Sequence, residues 1–195
     1  MAAPSHPNGR KGNLFIVSAP SGAGKTTLCS AVLNHFGDIR YSISHTTRPP
    51  RGSEQNGVEY HFTTRAAFIA DIDAGMWAEW AEVHGNYYGT SARVLDQTLG
   101  DGQDILLDID VQGAFQIVER YPDAVTIFIM PPDFEALRSR MENRGTDSPE
   151  VIARRLENAR GEIARKDRYR HIIVNDMLKT AVAEMIAVMA RYRQR

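Results

Sequence analysis

Leu14-Phe15-Ile16-Val17-Ser18-Ala19-Pro20-Ser21-Gly22-Ala23-Gly24-Lys25-Thr26 carries the chain from an apolar run into a glycine-rich turn that ends on a lysine and a hydroxyl. The segment 26–36 then repeats apolar residues at helical spacing, with Leu28, Val32 and Leu33 on one face. A strand, a glycine turn and a helix in that order form a cradle for phosphate. Glycines let backbone N–H groups turn inward, the helix start adds its positive dipole end, Lys25 reaches the terminal phosphates, and the Thr26 hydroxyl can ligate magnesium. The usual pattern opens on glycine. Ala19 stands there instead, a small change where only compactness is required.

Outward from this loop, three more apolar runs read as buried strands, at 105–109, 125–130 and 172–174, and a weaker one lies at 41–44. Most are apolar on both faces, as strands covered by helices on each side must be. Helical patterns follow at 111–120, 134–143, 149–166 and 180–193, the third opening on Ser148 as cap and Pro149 at the first helical position. Alternating strand and helix predict an α/β fold with a P-loop NTPase-type parallel sheet flanked by helices. The stretch of about 60 residues between the second and third core strands is too long for a connection. Val58, Tyr60 and Phe62 alternate like a half-exposed strand, 80–83 and 87–90 can pair with it, and 64–74 reads as a helix. A small α+β insertion is expected there.

Composition limits what such a fold can do. The chain has 195 residues, with 23 Lys plus Arg against 24 Asp plus Glu and a formal net charge of -1. That balance argues against a dedicated binder of nucleic-acid polymers, which needs a large excess of basic charge. Its 43% hydrophobic residues suit a folded soluble domain, and no run approaches the roughly 20 apolar residues of a membrane span. The single cysteine, Cys29, excludes an internal disulfide and points to a reducing compartment, so a cytoplasmic location is expected. Residues 1–12, with Pro4, Pro7, Gly9 and Gly12, read as a flexible tail.

Two further groups of residues have chemistry to offer. Ile105-Leu106-Leu107-Asp108-Ile109-Asp110 ends a buried strand in acid, which is costly without a cation or hydrogen bonds. Asp108 is the first candidate to support a magnesium shell and Asp110 the second, although Asp110 also reads as a cap for the helix that follows. Ser44-His45-Thr46-Thr47-Arg48-Pro49-Pro50-Arg51 presents two guanidinium forks on a chain that its prolines keep extended, a form suited to a phosphate dianion. Tyr60, Glu79 and the run Asn86-Tyr87-Tyr88-Gly89-Thr90 add hydroxyls and a carboxylate. A carboxylate can accept from both N1–H and the exocyclic amine of guanine, whereas adenine has no donor at N1. Taken singly, each has a plainer reading: Tyr60 as strand packing, Glu79 and Arg48 as surface charges.

Together these residues resemble the guanylate kinase family over nearly the whole chain from about Gly12. The resemblance rests on Ser-Ala-Pro-Ser-Gly-Ala-Gly-Lys-Thr from Ser18, Thr-Thr-Arg-Pro-Pro-Arg from Thr46, Gly-Val-Glu-Tyr from Gly57 and Glu-Trp-Ala from Glu79. It continues with Gly-Asn-Tyr-Tyr-Gly-Thr from Gly85, Leu-Asp-Ile-Asp-Val-Gln-Gly from Leu107, Arg-Gly-Thr-Asp from Arg144 and Ile-Val-Asn-Asp from Ile173. It implies magnesium-dependent transfer of the ATP γ-phosphate to GMP, with dGMP as a second acceptor and no membrane partner. ATP is implied on Ala19, Pro20, Ser21, Gly22, Ala23, Gly24, Lys25 and Thr26, with Asn175 on the adenine side. The GMP phosphate falls to Arg48, Arg51, Tyr60 and Tyr88, and guanine to Glu79 with Ser44 and Thr90; Asp110 joins the GMP-binding set. Thr26, and Asp108 through water, are implied for the metal. Met177 stands where many relatives carry an acid.

Phosphoryl transfer gathers about four negative charges of ATP beside two of GMP, so positioning and neutralisation carry most of the catalysis. Arg140 and Arg144 should share a helix face, with Arg155 arriving from the next helix. By resemblance these three, with Lys25, are the catalytic cations of a helical lid. Arg138, Arg154, Arg160, Arg165 and Arg168 read as solvated helix faces. The attacking phosphate oxygen is already ionised at neutral pH, so His45, His61 and His84 are not needed as bases. The expected division is a core at 13–44, 105–137 and 157–195, an acceptor region at 45–104 and a lid at 138–156. The competing readings are a non-catalytic guanylate-kinase-like interaction module and a related P-loop kinase acting on a sugar phosphate.

Overall fold

Five consecutive buried residues form the strand that opens the phosphate loop, β1 (Leu14–Ser18). The computed structural model describes residues 10–83, 85–143, 145 and 147–194. Of the residues singled out above, 1–9 of the tail, His84 and Arg144 lie outside these. The five-stranded sheet has the order β2 (Arg40–Tyr41), β7 (Ile105–Asp108), β1, β8 (Val125–Met130), β9 (His171–Val174), and the β2–β7, β1–β8 and β8–β9 pairs are parallel. The α/β class with a parallel sheet flanked by helices is thus the one expected. The chain divides into two compact units, each described by itself below.

The unit made of Phe15–Gly37, Asp108–Val111 and Val125–Arg195 carries the phosphate loop. After β1 and the loop comes α1 (Lys25–Phe36), which buries Leu28, Cys29 and Val32 and packs against α7 (Leu178–Arg193). Its glycine stop at Gly37, in the left-handed region, gives its N–H to the Leu33 carbonyl. α5 (Phe134–Glu142) and α6 (Pro149–Ile163) have a core of their own, Leu137, Met141, Ile152, Leu156 and Ala159. Burying a side chain such as Leu137 or Met141 contributes about 1.5–3 kcal/mol, enough to hold two short helices together. Asp133 and Ser148 cap these helices by accepting from Ala136 and Val151 N–H. Cys29 is buried, which pushes its thiol up to about 12, with Asp108 adding to the effect and Lys25 opposing it.

The other unit holds residues 10–14, Asp38–Leu107 and Gln112–Ala124. Its four-stranded sheet has the order β4 (His61–Phe62), β3 (His45–Thr46), β6 (Asn86–Ser91), β5 (Trp77–Val83), with α2 (Arg65–Asp73) against β6 and α3 (Ala92–Gly100) against β5. α4 (Val111–Arg120) belongs to this unit from Gln112 onward. The strand expected at 41–44 is only Arg40–Tyr41, because the chain then leaves β7 and His45–Thr46 pairs with β4 and β6 instead. Val58 is 57% exposed and outside any strand; of the expected alternation Tyr60 makes only an isolated bridge to Asn56, and Phe62 lies in β4. α3 has no counterpart in the expected elements, although Ser91 caps it and Leu95 and Leu99 lie on its buried face. Residues 10–12, expected to belong to the tail, are tied down: Arg10 pairs with buried Asp104 at 2.8 Å, and Gly12 N–H donates to the Leu99 carbonyl. No helix among the described residues is long and apolar enough to cross a membrane.

Candidate active site

Gly22 and Gly24 have φ of 90° and 92°, the left-handed region that lets successive N–H groups point into one concavity. A Cβ on Gly24 would stand 2.4 Å from Asn175 Nδ2, so the position admits nothing larger. The loop lines a pocket of about 330 Å³ together with Lys25, Thr26, Thr27 and Glu162. Lys25 forms an ion pair with Asp108 and donates to the Ile109 carbonyl at 3.3 Å. The carboxylate thereby holds the ammonium in place at the loop. Thr26 is exposed on the pocket wall, and the Ser18 hydroxyl donates to the Asp110 carbonyl.

Asn175 is 6% exposed and its amide donates to the Ala23 carbonyl at 2.8 Å, while its own N–H is spent on the Met130 carbonyl. Asn175, which the resemblance places on the adenine side, thus also braces the loop at Ala23. Arg140 donates through Nη2 to the Asn175 carbonyl at 2.8 Å, and its Nη1 is buried without an acceptor among the described residues. A buried donor left unmade costs about 1–3 kcal/mol, which an anion would recover. Arg155 pairs with Asp147 and donates to the Ser21 hydroxyl of the phosphate loop. Arg138, Arg154, Arg160, Arg165 and Arg168 are exposed. Glu162, which no motif marks, has its carboxyl raised by burial first and Asp110 second, with Lys25 opposing.

In the other unit, β5 and β6 set Glu79 opposite Thr90, and the Thr90 hydroxyl donates to Glu79 Oε1 at 2.6 Å. Both are buried, Glu79 at 7% and Thr90 at 1% exposure. A bulge between Trp77 and Glu79 turns this part of the strand. Gly89 lets the two strands and Phe68 come close: a Cβ there would lie 2.9 Å from Phe68 Cζ and 3.0 Å from the Glu79 carbonyl oxygen. The neighbouring backbone is braced as well, because Gln116 accepts from Trp80 N–H and donates to its carbonyl.

Arg48 is 6% exposed, yet its charge is met by a residue that sequence reasoning passed over. Glu54 accepts from Nη1 at 2.6 Å and Nη2 at 2.7 Å, and also from Arg51 N–H at 2.8 Å. The guanidinium carbon lies 4.9 Å from the centre of the Tyr60 ring, and Tyr60 and Tyr88 meet edge to face at 6.0 Å. The hydrogen bond from Arg48 and then that from the Arg51 N–H hold the Glu54 carboxyl down to about 2. Arg51 is exposed, and the Ser44 carbonyl accepts from His61 N–H. Ser44, Arg48, Arg51, Tyr60, Glu79, Tyr88 and Thr90 therefore share one unit, while Asp110 belongs to the other with the phosphate loop. His45 stacks against His61 at 4.7 Å, and its imidazole is lowered to about 4 by burial, then by His61, with Asp71 opposing.

A parallel sheet with a glycine-rich loop after its first strand, ending Gly-Lys-Thr at a helix start, defines a phosphate-binding protein of the P-loop NTPase class. The sequence model of the family Guanylate kinase matches residues 11–192. The chain belongs to the guanylate kinase family. It is 50% identical over 186 residues to guanylate kinase of Geobacter metallireducens, covering 95% of this chain and 92% of that protein. It is 48% identical to guanylate kinase of Neisseria gonorrhoeae, covering 92% and 88%. The crystal structure of guanylate kinase from Anaplasma phagocytophilum superimposes with a TM-score of 0.76 at 32% identity, over 95% of this chain and 88% of that one. A gluconokinase from Sinorhizobium meliloti, at 15% identity and a TM-score of 0.50, shares the fold alone.

Proposed function

We infer that this chain transfers the terminal phosphate of ATP to GMP, giving ADP and GDP, with dGMP as a second acceptor. The observation that carries the reading is the buried Glu79 carboxylate with Thr90 on one oxygen. A carboxylate held on the strand pair is a fixed double acceptor, and guanine supplies two matching donors side by side at N1 and the 2-amino group. Arg48, Arg51, Tyr60 and Tyr88 grip the phosphate of GMP, Ser44 assists with the base, and Asp110 completes the acceptor set. Ala19 to Thr26 cradle the ATP phosphates, Lys25 reaching the transferred group. Asn175 lies on the adenine side of ATP and also keeps the loop in shape. Arg140 and Arg155, with Arg144, neutralise the charge that develops on the transferring phosphoryl group.

The oxygen donors at the loop suit magnesium, which prefers hard ligands and keeps several waters. Thr26 would hold it by its hydroxyl and Asp108 through water. The ion would supply charge neutralisation on the ATP phosphates. The acceptor region at 45–104, the lid at 138–156 and the core at 13–44, 105–137 and 157–195 are the working parts of this reading, and the cytoplasm is its setting. Lys25, Thr26, Arg48, Arg51 and Asp108 together favour catalysis over a non-catalytic interaction module, which has no use for them. An ADP-release assay of the purified protein with GMP, AMP, CMP, UMP and a sugar phosphate tests it. Turnover with GMP well above the rest is expected, and absence of GMP-dependent turnover would refute it.

A further inference from the structure

We propose that Glu54 is a positioning residue of the acceptor site: by taking both terminal nitrogens of Arg48 it fixes the guanidinium so that only the Nε–Nη2 edge is offered to the acceptor's phosphate. The inference rests on the reading of Arg48 as a GMP-phosphate ligand. An arginine has five N–H groups. In Arg48, Nη1 gives one to Glu54 Oε2 and one to the Pro49 carbonyl at 3.0 Å, and Nη2 gives one to Glu54 Oε1. Among the described residues, Nε and the second hydrogen of Nη2 have no acceptor. These two N–H groups are parallel and adjacent, the geometry that grips two oxygens of one phosphate.

The face of the guanidinium is fixed as well, since Tyr60 lies against it at 4.9 Å and Phe62 at 5.8 Å. Glu54 also holds the backbone of the second arginine of the motif. It accepts from Arg51 N–H and returns its own N–H to the Arg51 carbonyl at 3.1 Å, closing the turn that carries Gly52. The Arg51 side chain is exposed, so the carboxylate orders the guanidinium of Arg48 and only the backbone of Arg51. A long side chain left unrestrained loses rotamer freedom when it binds, and holding it beforehand removes that cost.

Simple electrostatics predicts the opposite effect on binding. A carboxylate near a phosphate dianion repels it, and an occupied arginine fork looks like a competitor that GMP must displace. The sign of one measurement separates the two. Glu54 stays ionised across the usual assay range, so Glu54→Gln removes a full charge while keeping the shape. If Glu54 positions Arg48, Glu54→Gln raises the KM for GMP by about 3- to 10-fold and leaves the KM for ATP within two-fold. Glu54→Asp, one methylene shorter in its reach to the guanidinium from the same turn, raises it as well.

The assay is steady-state kinetics of both nucleotides, with thermal melting alongside. Adding Glu54→Gln to Arg48→Ala should leave the KM for GMP where Arg48→Ala alone puts it, because the carboxylate acts through that guanidinium. An unchanged or lower KM for GMP in Glu54→Gln overturns the inference, as does a full further loss on the Arg48→Ala background. Should Glu54→Gln not fold, Glu54→Asp reads the same sign. Wild-type protein without GMP turnover overturns the functional reading itself, an outcome distinct from wild-type turnover with the wrong sign in the variant.

Discussion

Glu79→Gln should exchange one base preference for another as well as weaken binding. The side chain keeps its length and shape, so the packing of β5 against β6 survives and the Thr90 hydroxyl still has an oxygen to donate to. What changes is the edge offered to the base. A carboxylate accepts from guanine N1–H and the 2-amino group, whereas an amide sets its own NH2 against one of those donors. Losing one charge-assisted bond at a site only 7% exposed costs about 1.5–3 kcal/mol, or roughly 10- to 150-fold in kcat/KM for GMP. Adenine carries an acceptor at N1 and a donor at its 6-amino group, the complement of an amide. The GMP to AMP ratio should therefore fall further than the GMP value alone. Coupled ADP-release kinetics with each acceptor at saturating ATP measure it. An unchanged GMP to AMP ratio in a variant that melts like the wild type would refute the base-reading role.

Three further outcomes are expected. Asn175→Ala leaves the Ala23 carbonyl without its buried donor, at about 1–3 kcal/mol, and should raise the KM for ATP while sparing that for GMP; equal changes in both would argue against the brace. Gln116→Ala strips the partner of both backbone groups of Trp80 beside Glu79, and, if Glu79 reads the base, a rise of about 2- to 10-fold in the KM for GMP is expected, detectable in the same assay. His45 bears on stability and pH: its folded value of about 4 lies below the usual 6.5, so the unfolded chain takes up a proton that the folded one refuses. Stability is therefore lost as pH falls from 6.5 towards 4. His45→Asn should flatten melting temperature against pH in that window, and an unaltered slope would assign the loss elsewhere.

The phosphate loop was legible because its chemistry requires particular residue types at fixed spacing, with glycines at Gly22 and Gly24 where φ is positive. The core strands were legible because burial on both faces forces near-continuous apolar runs, as in Ile105-Leu106-Leu107. Glu54 was not, since an acid in a polar loop carries no periodic signal. Asking what balances a buried arginine six residues away would have found it. Gln116 and Glu162 are harder: their partners lie 36 residues away in one case and across the phosphate loop in the other, and no spacing rule links them. α3 left readable marks in Ser91, Leu95 and Leu99, but it follows a strand-rich stretch that draws attention to alternation. The shortening of the 41–44 strand is a tertiary matter, decided by where β3 finds its partners.

The lone thiol on α1 has a practical consequence. Cys29 is buried and stays protonated at any working pH, so maleimides and other thiol reagents find no target on the folded chain. Any cysteine introduced at an exposed position is then the only addressable one, without first removing the native residue. A pair placed at Ser53 and at Arg138 on α5, both exposed, would carry fluorophores or spin labels, one on each of the two units. The same reagents, slow to reach Cys29, would time the opening of the nucleotide-binding core itself.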